Sequence, residues 1–240
     1  MISSSSFDLS RFYPPIPPAP FVLLCLMAMT VIFGFLSTTL FAVSLVLTCW
    51  AIRAYMDPPR AVPDIAGSVI APMDSAFTAL TRELGLPLSF DQAKDQAEHF
   101  MRLDFTPTLC GGRVFRAPAT GTIQEILRFT PDTQDQKSTT FPNMWSQMDG
   151  VAILFAGHDG TETALVLDAP LIPRQIHLAV KQGDIVNAGD RLGVILVTAR
   201  ANLYLKEGSA LLKPTGHHVR AGETILMHPS VHAAPTHRIV

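Results

Sequence analysis

Charge is what this chain has little of. Charged side chains make up 16% of its 240 residues, against about 25% in ordinary soluble domains. Between Phe21 and Ile52 there is none at all. A formal net charge of -2 gives no reason to expect nucleic acid as a partner. Residues 1–63 set Arg11, Arg53 and Arg60 against Asp8 and Asp57, so no broad basic face for lipid is evident either. Cysteine is equally sparse. Cys25, Cys49 and Cys110 make no disulfide framework, and the first two lie in the apolar stretch, where cysteine behaves as a small hydrophobe. A basic n-region and an Ala-x-Ala cleavage site are both missing, which argues against a cleavable signal peptide.

What is present divides the chain. Residues 1–20 are Ser-rich and then Pro-rich, an extended tail that cannot begin a helix early. Residues 21–55 form the apolar segment. As one straight helix Phe21–Ile52 would run about 48 Å, against about 30 Å of bilayer hydrocarbon. Its centre, Gly34–Thr39, gathers the small and polar residues, so two short helices, Phe21–Phe33 and Leu40–Tyr55, are expected to fold as a membrane hairpin. One long tilted helix is the alternative. Asp57-Pro58-Pro59-Arg60 ends the helical part, and Arg11, Arg53 and Arg60 place both ends of a hairpin on the cytoplasmic side. Ala76–Leu103 reads as helical or mixed, from the apolar spacing Ala76, Leu80, Leu84, with a helix expected over Phe90–Met101 capped by Ser89.

From Thr106 the pattern turns to β, in short Val/Ile/Leu runs between Gly, Pro and Asp turns. Val151–Phe155 and Thr163–Leu167 suggest a hairpin across His158-Asp159-Gly160, and Thr130–Gln147 suggests a polar surface loop. Two segments repeat the pattern Gly-x-x-Val-x-Ala-Gly-(Asp/Glu)-x-(Leu/Ile): Gly183–Leu192 and Gly216–Ile225. Residues 229–240 read as a loose tail.

Several motifs fall in one order. An apolar segment precedes Asp57-Pro58-Pro59-Arg60-Ala61-Val62-Pro63; Ile70-Ala71-Pro72-Met73-Asp74-Ser75 follows; then come Arg116-Ala117-Pro118-Ala119-Thr120-Gly121-Thr122-Ile123 and Leu196-Val197-Thr198-Ala199-Arg200. In this order, from about Phe21 to Met227, the chain resembles the short bacterial and archaeal type of phosphatidylserine decarboxylase. The resemblance implies a mainly β fold with minor α. It consists of a membrane-anchored β-rich domain over residues 64–228 with lipoyl- and biotinyl-like strand–turn units, preceded by an N-terminal membrane hairpin.

In that family a Gly-Ser junction cuts itself, and the serine becomes a pyruvoyl group that acts as an electron sink for decarboxylation. A histidine and an aspartate assist the serine. Carried over by motif, the aspartate is kept as Asp74. The histidine position holds Arg113, which stays protonated and cannot act as a base, and the acidic position beside it holds Gly111. The junction is Thr198-Ala199, and alanine has no hydroxyl. Were Thr198 itself the nucleophile, it would leave a ketobutyryl group in place of pyruvoyl.

The expectation is therefore a non-catalytic, uncleaved relative, with no catalytic residue set intact, no pyruvoyl cofactor and no metal. It would sit at the cytoplasmic membrane with its β domain on the cytoplasmic side. There it would bind phospholipid or serve as an accessory subunit beside other membrane proteins. The alternative is an active pyruvoyl-type decarboxylase making phosphatidylethanolamine. A lipoyl-like carrier is disfavoured, because no Met-Lys pair stands at a hairpin tip. Remaining candidates read as structure: His217-His218 as a turn, His228, His232 and His237 as tail, Cys110 as a small apolar residue, and Asp74 without its histidine as a turn former.

Overall fold

The computed structural model describes residues 19–55, 57–84, 99–108, 111–129, 149–157, 161–169, 176–206, 211–227 and 236–239. Two helices, α1 (Ala19–Leu36) and α2 (Thr38–Tyr55), come first. The rest is β: β1 (Ala61–Asp64), β2 (Val69–Ile70), β3 (Ser75–Leu84), β4 (His99–Pro107), β5 (Val114–Arg116), β6 (Gly121–Phe129), β7 (Asp149–Ala156) and β8 (Glu162–Ala169). It continues through β9 (Ile176–Leu178), β10 (Ile185–Val186), β11 (Arg191–Ile195), β12 (Arg200–Lys206), β13 (His218–Val219), β14 (Ile225–Met227) and β15 (Thr236–Ile239). The mainly β expectation holds.

The helices begin where Pro20 is tolerated in a first turn. They break at Ser37 alone, a tighter reversal than the Gly34–Thr39 break expected. Ser37 N–H still donates to Phe33 O at 3.0 Å, and Ser37 O accepts from Phe41 N–H at 3.0 Å. Gly34 allows this, since a Cβ there would sit 3.3 Å from the Phe41 ring. The two helices lie side by side. Thr30, Ser44 and Thr48 are buried between them, with Thr30 Oγ1 2.8 Å from Thr48 Oγ1 and donating to Leu26 O at 2.8 Å. The outward faces are apolar, and Phe35 at the reversal is 87% exposed. Among the described residues no helix is long and apolar enough to cross a membrane.

Two sequence expectations fail here. Ala76–Leu84 is strand, and His99–Met101, the end of the expected Phe90–Met101 helix, opens β4; the residues between lie outside the described set. The apolar spacing of four falls on one face of a strand as well as of a helix, so it did not discriminate. The expected loose tail also contains β15, which pairs antiparallel with β1 from Ala61↔Ile239 to Asp64↔Thr236. The Thr130–Gln147 loop lies outside the described residues. The hairpin of β7 and β8 forms as expected, with its tip His158–Gly160 outside them.

The main sheet has the order β10-β6-β7-β8-β12-β4-β3-β13, and it is pseudo-two-fold symmetric. Ile70–Phe77 matches Arg116–Ile123 position for position. Ala71 N–H and Ala117 N–H bond to Thr224 O and Asp190 O, and Ala71 O and Ala117 O accept from Gly222 and Gly189. Ile70 N–H donates to Pro118 O while Arg116 N–H donates to Pro72 O, a reciprocal pair at 2.8 Å. β3 and β6 carry bulges at equivalent places, after Phe77 and after Ile123. The axis passes between β8 and β12, where Leu165 faces Leu203. The repeated turn motif is thus one visible part of a duplicated half. Its glycines 183, 189, 216 and 222 all take positive φ, which only glycine adopts without strain.

One half runs through β5–β11. The other is β2–β4 together with β12–β14. The chain therefore crosses between halves twice, at residues 108–113 and 196–199. Ile195 N–H donates to Arg113 O at 2.8 Å, so the two crossings run side by side.

Candidate functional site

The two crossings hold four of the five residues singled out by sequence, and Asp74 touches one of them. Asp74 ends the turn before β3. Its carboxylate accepts from Arg60 Nη2 at 2.8 Å, Gly112 N–H at 2.9 Å and Ala221 N–H at 2.8 Å. The last bond has a counterpart across the pseudo-two-fold axis, where Thr120 Oγ1 accepts from Ala188 N–H at 3.0 Å. Holding that turn is thus a general task of this position, independent of any chemistry. Arg60 also approaches Glu223, at 3.8 Å.

The first crossing closes tightly over Asp74. A Cβ on Gly111 would lie 2.7 Å from both Asp74 O and Thr108 Oγ1, and one on Gly112 would lie 3.0 Å from Asp74 Oδ2. An acidic side chain at Gly111 does not fit this loop. Arg113 is buried, with its guanidinium 5.7 Å from the centre of the Trp50 ring in α2. The helical hairpin packs at the same place: Leu23 and Ala51 bury against Val194, with Val22, Leu26 and Leu196 around them.

At the second crossing Thr198 is half-buried and Ala199 is 1% exposed, its methyl set into the main core. The strand register places it. Ala201 pairs with Phe105, and Phe105 with Phe77. Two residues back, Ala199 falls in the row of Pro107 and Ser75, about 10 Å from Ser75 at two strand spacings. Asp74 and Ala199 thus share one end of the sheet.

The pyruvoyl group implied by the resemblance would have to be made from a serine at the junction. The residues present do not fit it: Ala199 offers a buried methyl, Asp74 is held by three donors, and Arg113 supplies a permanent cation where a base is required. No chemical step through that group follows.

The sequence reading missed Asp168. It pairs with Arg200, beside the junction, and accepts from Asn202 Nδ2 at 3.4 Å. Burial pushes its carboxyl up to about 6, against the partial relief given by Arg200 and Asn202. The signal was there, an acid ending the apolar run Ala164–Leu167. Among the described residues no cluster of His, Cys, Asp and Glu is placed to hold a metal. His217 is exposed before β13 and His218 is exposed at its start, His237 lies in β15, and Cys110, His228 and His232 lie outside the described residues.

A family model described as phosphatidylserine decarboxylase matches residues 47–227. Among similar proteins, the phosphatidylserine decarboxylase proenzyme of Azorhizobium caulinodans is 30% identical over 227 residues, covering 95% of this chain and 90% of its own. That of Paramagnetospirillum magneticum is 30% identical over 184 residues, covering 75% and 72%. That of Ruegeria pomeroyi is 29% identical over 204 residues, covering 83% and 88%. No solved structure matches.

Proposed function

The chain belongs to the phosphatidylserine decarboxylase family, and from that premise we propose that it keeps the family's scaffold without its self-processing. It remains one uncleaved chain with no pyruvoyl group, seated at the cytoplasmic membrane with the β domain on the cytoplasmic side. There it binds phospholipid or acts as an accessory subunit beside other membrane proteins, and takes no nucleic acid. The observation that carries this is Ala199, a buried methyl at the junction, beside a loop whose base position is Arg113.

The membrane seat is supported by the hairpin's inverted polarity. Thr30, Ser44 and Thr48 face inward and most large apolar side chains outward, the arrangement suited to lipid, where polar groups pair between helices. Both ends of the hairpin lie at the same end. From Ser37 to Trp50 the helix rises about 20 Å, against about 30 Å of hydrocarbon. The hairpin therefore inserts from one side without crossing.

The test is the intact mass of the chain from its native membrane, measured under denaturing conditions. Denaturation matters, because β12 lies between β8 and β4 and would hold a severed piece in place. One full-length mass and no carbon dioxide release from phosphatidylserine are expected. Two pieces divided at 197/198 or 198/199 would overturn the proposal. They would favour the second reading, an active decarboxylase, in line with relatives that are phosphatidylserine decarboxylase proenzymes.

A further inference from the structure

We infer that the base of the helical hairpin is a latch on the two crossings, closed in water and opened by a bilayer. This rests on the membrane seat proposed above and adds a conformational consequence to it. Among the described residues the apolar seat of the hairpin holds three buried side chains, Leu23 of α1, Ala51 of α2 and Val194 of β11, with Val22, Leu26 and Leu196 partly buried around them. Val194 precedes Ile195, whose N–H donates to Arg113 O at 2.8 Å and so ties the second crossing to the first. Leu196 opens the second crossing, and Arg113, closing the first, lies against Trp50. The hairpin thus rests on both crossings at once.

Two properties make this contact a latch. Its driving force depends on the solvent. In water, setting Val22, Leu23 and Leu26 against β11 removes apolar surface from solvent. In hydrocarbon that gain vanishes, because lipid tails cover the same side chains as well as Val194 does. Insertion to the depth of Trp50 also takes in Leu23, about 20 Å along α1 from Ser37. The hairpin is also free to move as one piece. Thr30 bonds to Thr48 and Ser44 across its two helices, and one stretch of chain, residues 56–60, joins it to β1. Asp57, held by Arg116 at 2.7 Å, fixes the far end of that swing. A lift of the base about Asp57 leaves both units folded. It uncovers Val194, Leu196 and the Ile195–Arg113 bond, so that contact with lipid at the tip is felt at the crossing that carries Thr198-Ala199.

The experiment follows amide hydrogen exchange of the full chain before and after addition of phosphatidylcholine vesicles, with binding scored by flotation of the same samples. Vesicles should speed exchange at Ile195 about tenfold and leave Ile153 and Leu165, paired in the middle of the main sheet, unchanged. Leu23→Ala and Val194→Ala, which cut the seat from either side, should each give that rise in water alone. Phe35→Ala, at the exposed reversal, should exchange like wild type in water and blunt the effect of vesicles. Bound vesicles with no change at Ile195 would overturn the latch and leave the membrane seat standing. So would a Leu23→Ala or Val194→Ala variant in which Ile153 speeds up as much as Ile195, since that marks a seat inseparable from the fold. No binding to the vesicles overturns both proposals.

Discussion

Asp74 and Asp168 are both acids at one end of the sheet, and their surroundings set them opposite tasks. Asp74 gathers one guanidinium and two backbone N–H groups, so Asp74→Ala leaves three donors without their acceptor. The expected loss is about 2–3 kcal/mol, read from the urea midpoint in detergent micelles. Thr120→Ala, which removes the exposed counterpart bond, should cost about 0.5–1 kcal/mol. Asp168 does the reverse. Its carboxyl is raised from 3.8 to about 6, so the folded state binds the proton more tightly than the unfolded one. The chain is then least burdened at low pH and loses stability as pH rises from about 4 through 6. The loss approaches 3 kcal/mol at most. Asp168→Asn should therefore stabilise the protein at pH 7.5, and that gain should vanish by pH 4, in paired urea titrations. An Asp168→Asn variant that is no more stable at either pH would show that burial does not penalise the ionised carboxylate. Asp74 was legible in the sequence because it belongs to a contiguous motif. Asp168 was not, because its burial and its pairing with Arg200 come from a strand far away in sequence.

At the scale of elements, what joins the helical hairpin to the β domain is a buried ion cluster. Asp57, two residues past the end of α2, accepts from Arg116 Nη2 at 2.7 Å and pairs with Arg191. Arg116 is 1% exposed and also donates to Gly189 O at 2.7 Å. Two cations of one half thus clamp the chain as it leaves the helices. Asp57→Ala strands a buried guanidinium and should cost about 3–5 kcal/mol. Hydrogen exchange should then rise first in β1 and in the Gly189 turn. Uniform exchange with unchanged stability would show that the clamp holds nothing. The Asp57-Pro58-Pro59-Arg60 motif marked this place in sequence, but as a helix stop. That its aspartate and arginine serve two separate networks, with Arg116 and with Asp74, depends on how the halves meet. β3 was misread for a related reason: the bulge after Phe77 disturbs the alternation by which a strand is recognised, leaving only a spacing common to both structures. β15, Thr-His-Arg-Ile, has too little apolar pattern to reveal its pairing with β1.

Among the described residues the β domain is a duplicated unit in which one half is inserted into the other, and this sets where a cut would leave both halves paired. The repeated turn was legible because its glycines are needed locally. The larger symmetry was not, because Ile70–Phe77 and Arg116–Ile123 share an Ala-Pro pair and little else; the symmetry is carried by backbone bonds. Residues 196–199 are one of two crossings between halves, and a cut there breaks no half's pairing. β12 keeps its ladders with β4 and β8, β13 keeps β3, β14 keeps β2 and β15 keeps β1. A protease site built in place of Val197-Thr198 should therefore be cut without release of the C-terminal piece. The nicked protein should elute as one species in detergent, with its melting temperature lowered only by the freed ends, and separate in denaturant. Release of the piece on cutting would mean that the crossing itself holds β12 in the sheet. Retention would mean that an intact Thr198-Ala199 bond contributes no fold that the ladders do not already supply. On that result, the uncut junction proposed for this chain would follow from the side chains at Ala199 and Arg113, and from no structural need to stay whole.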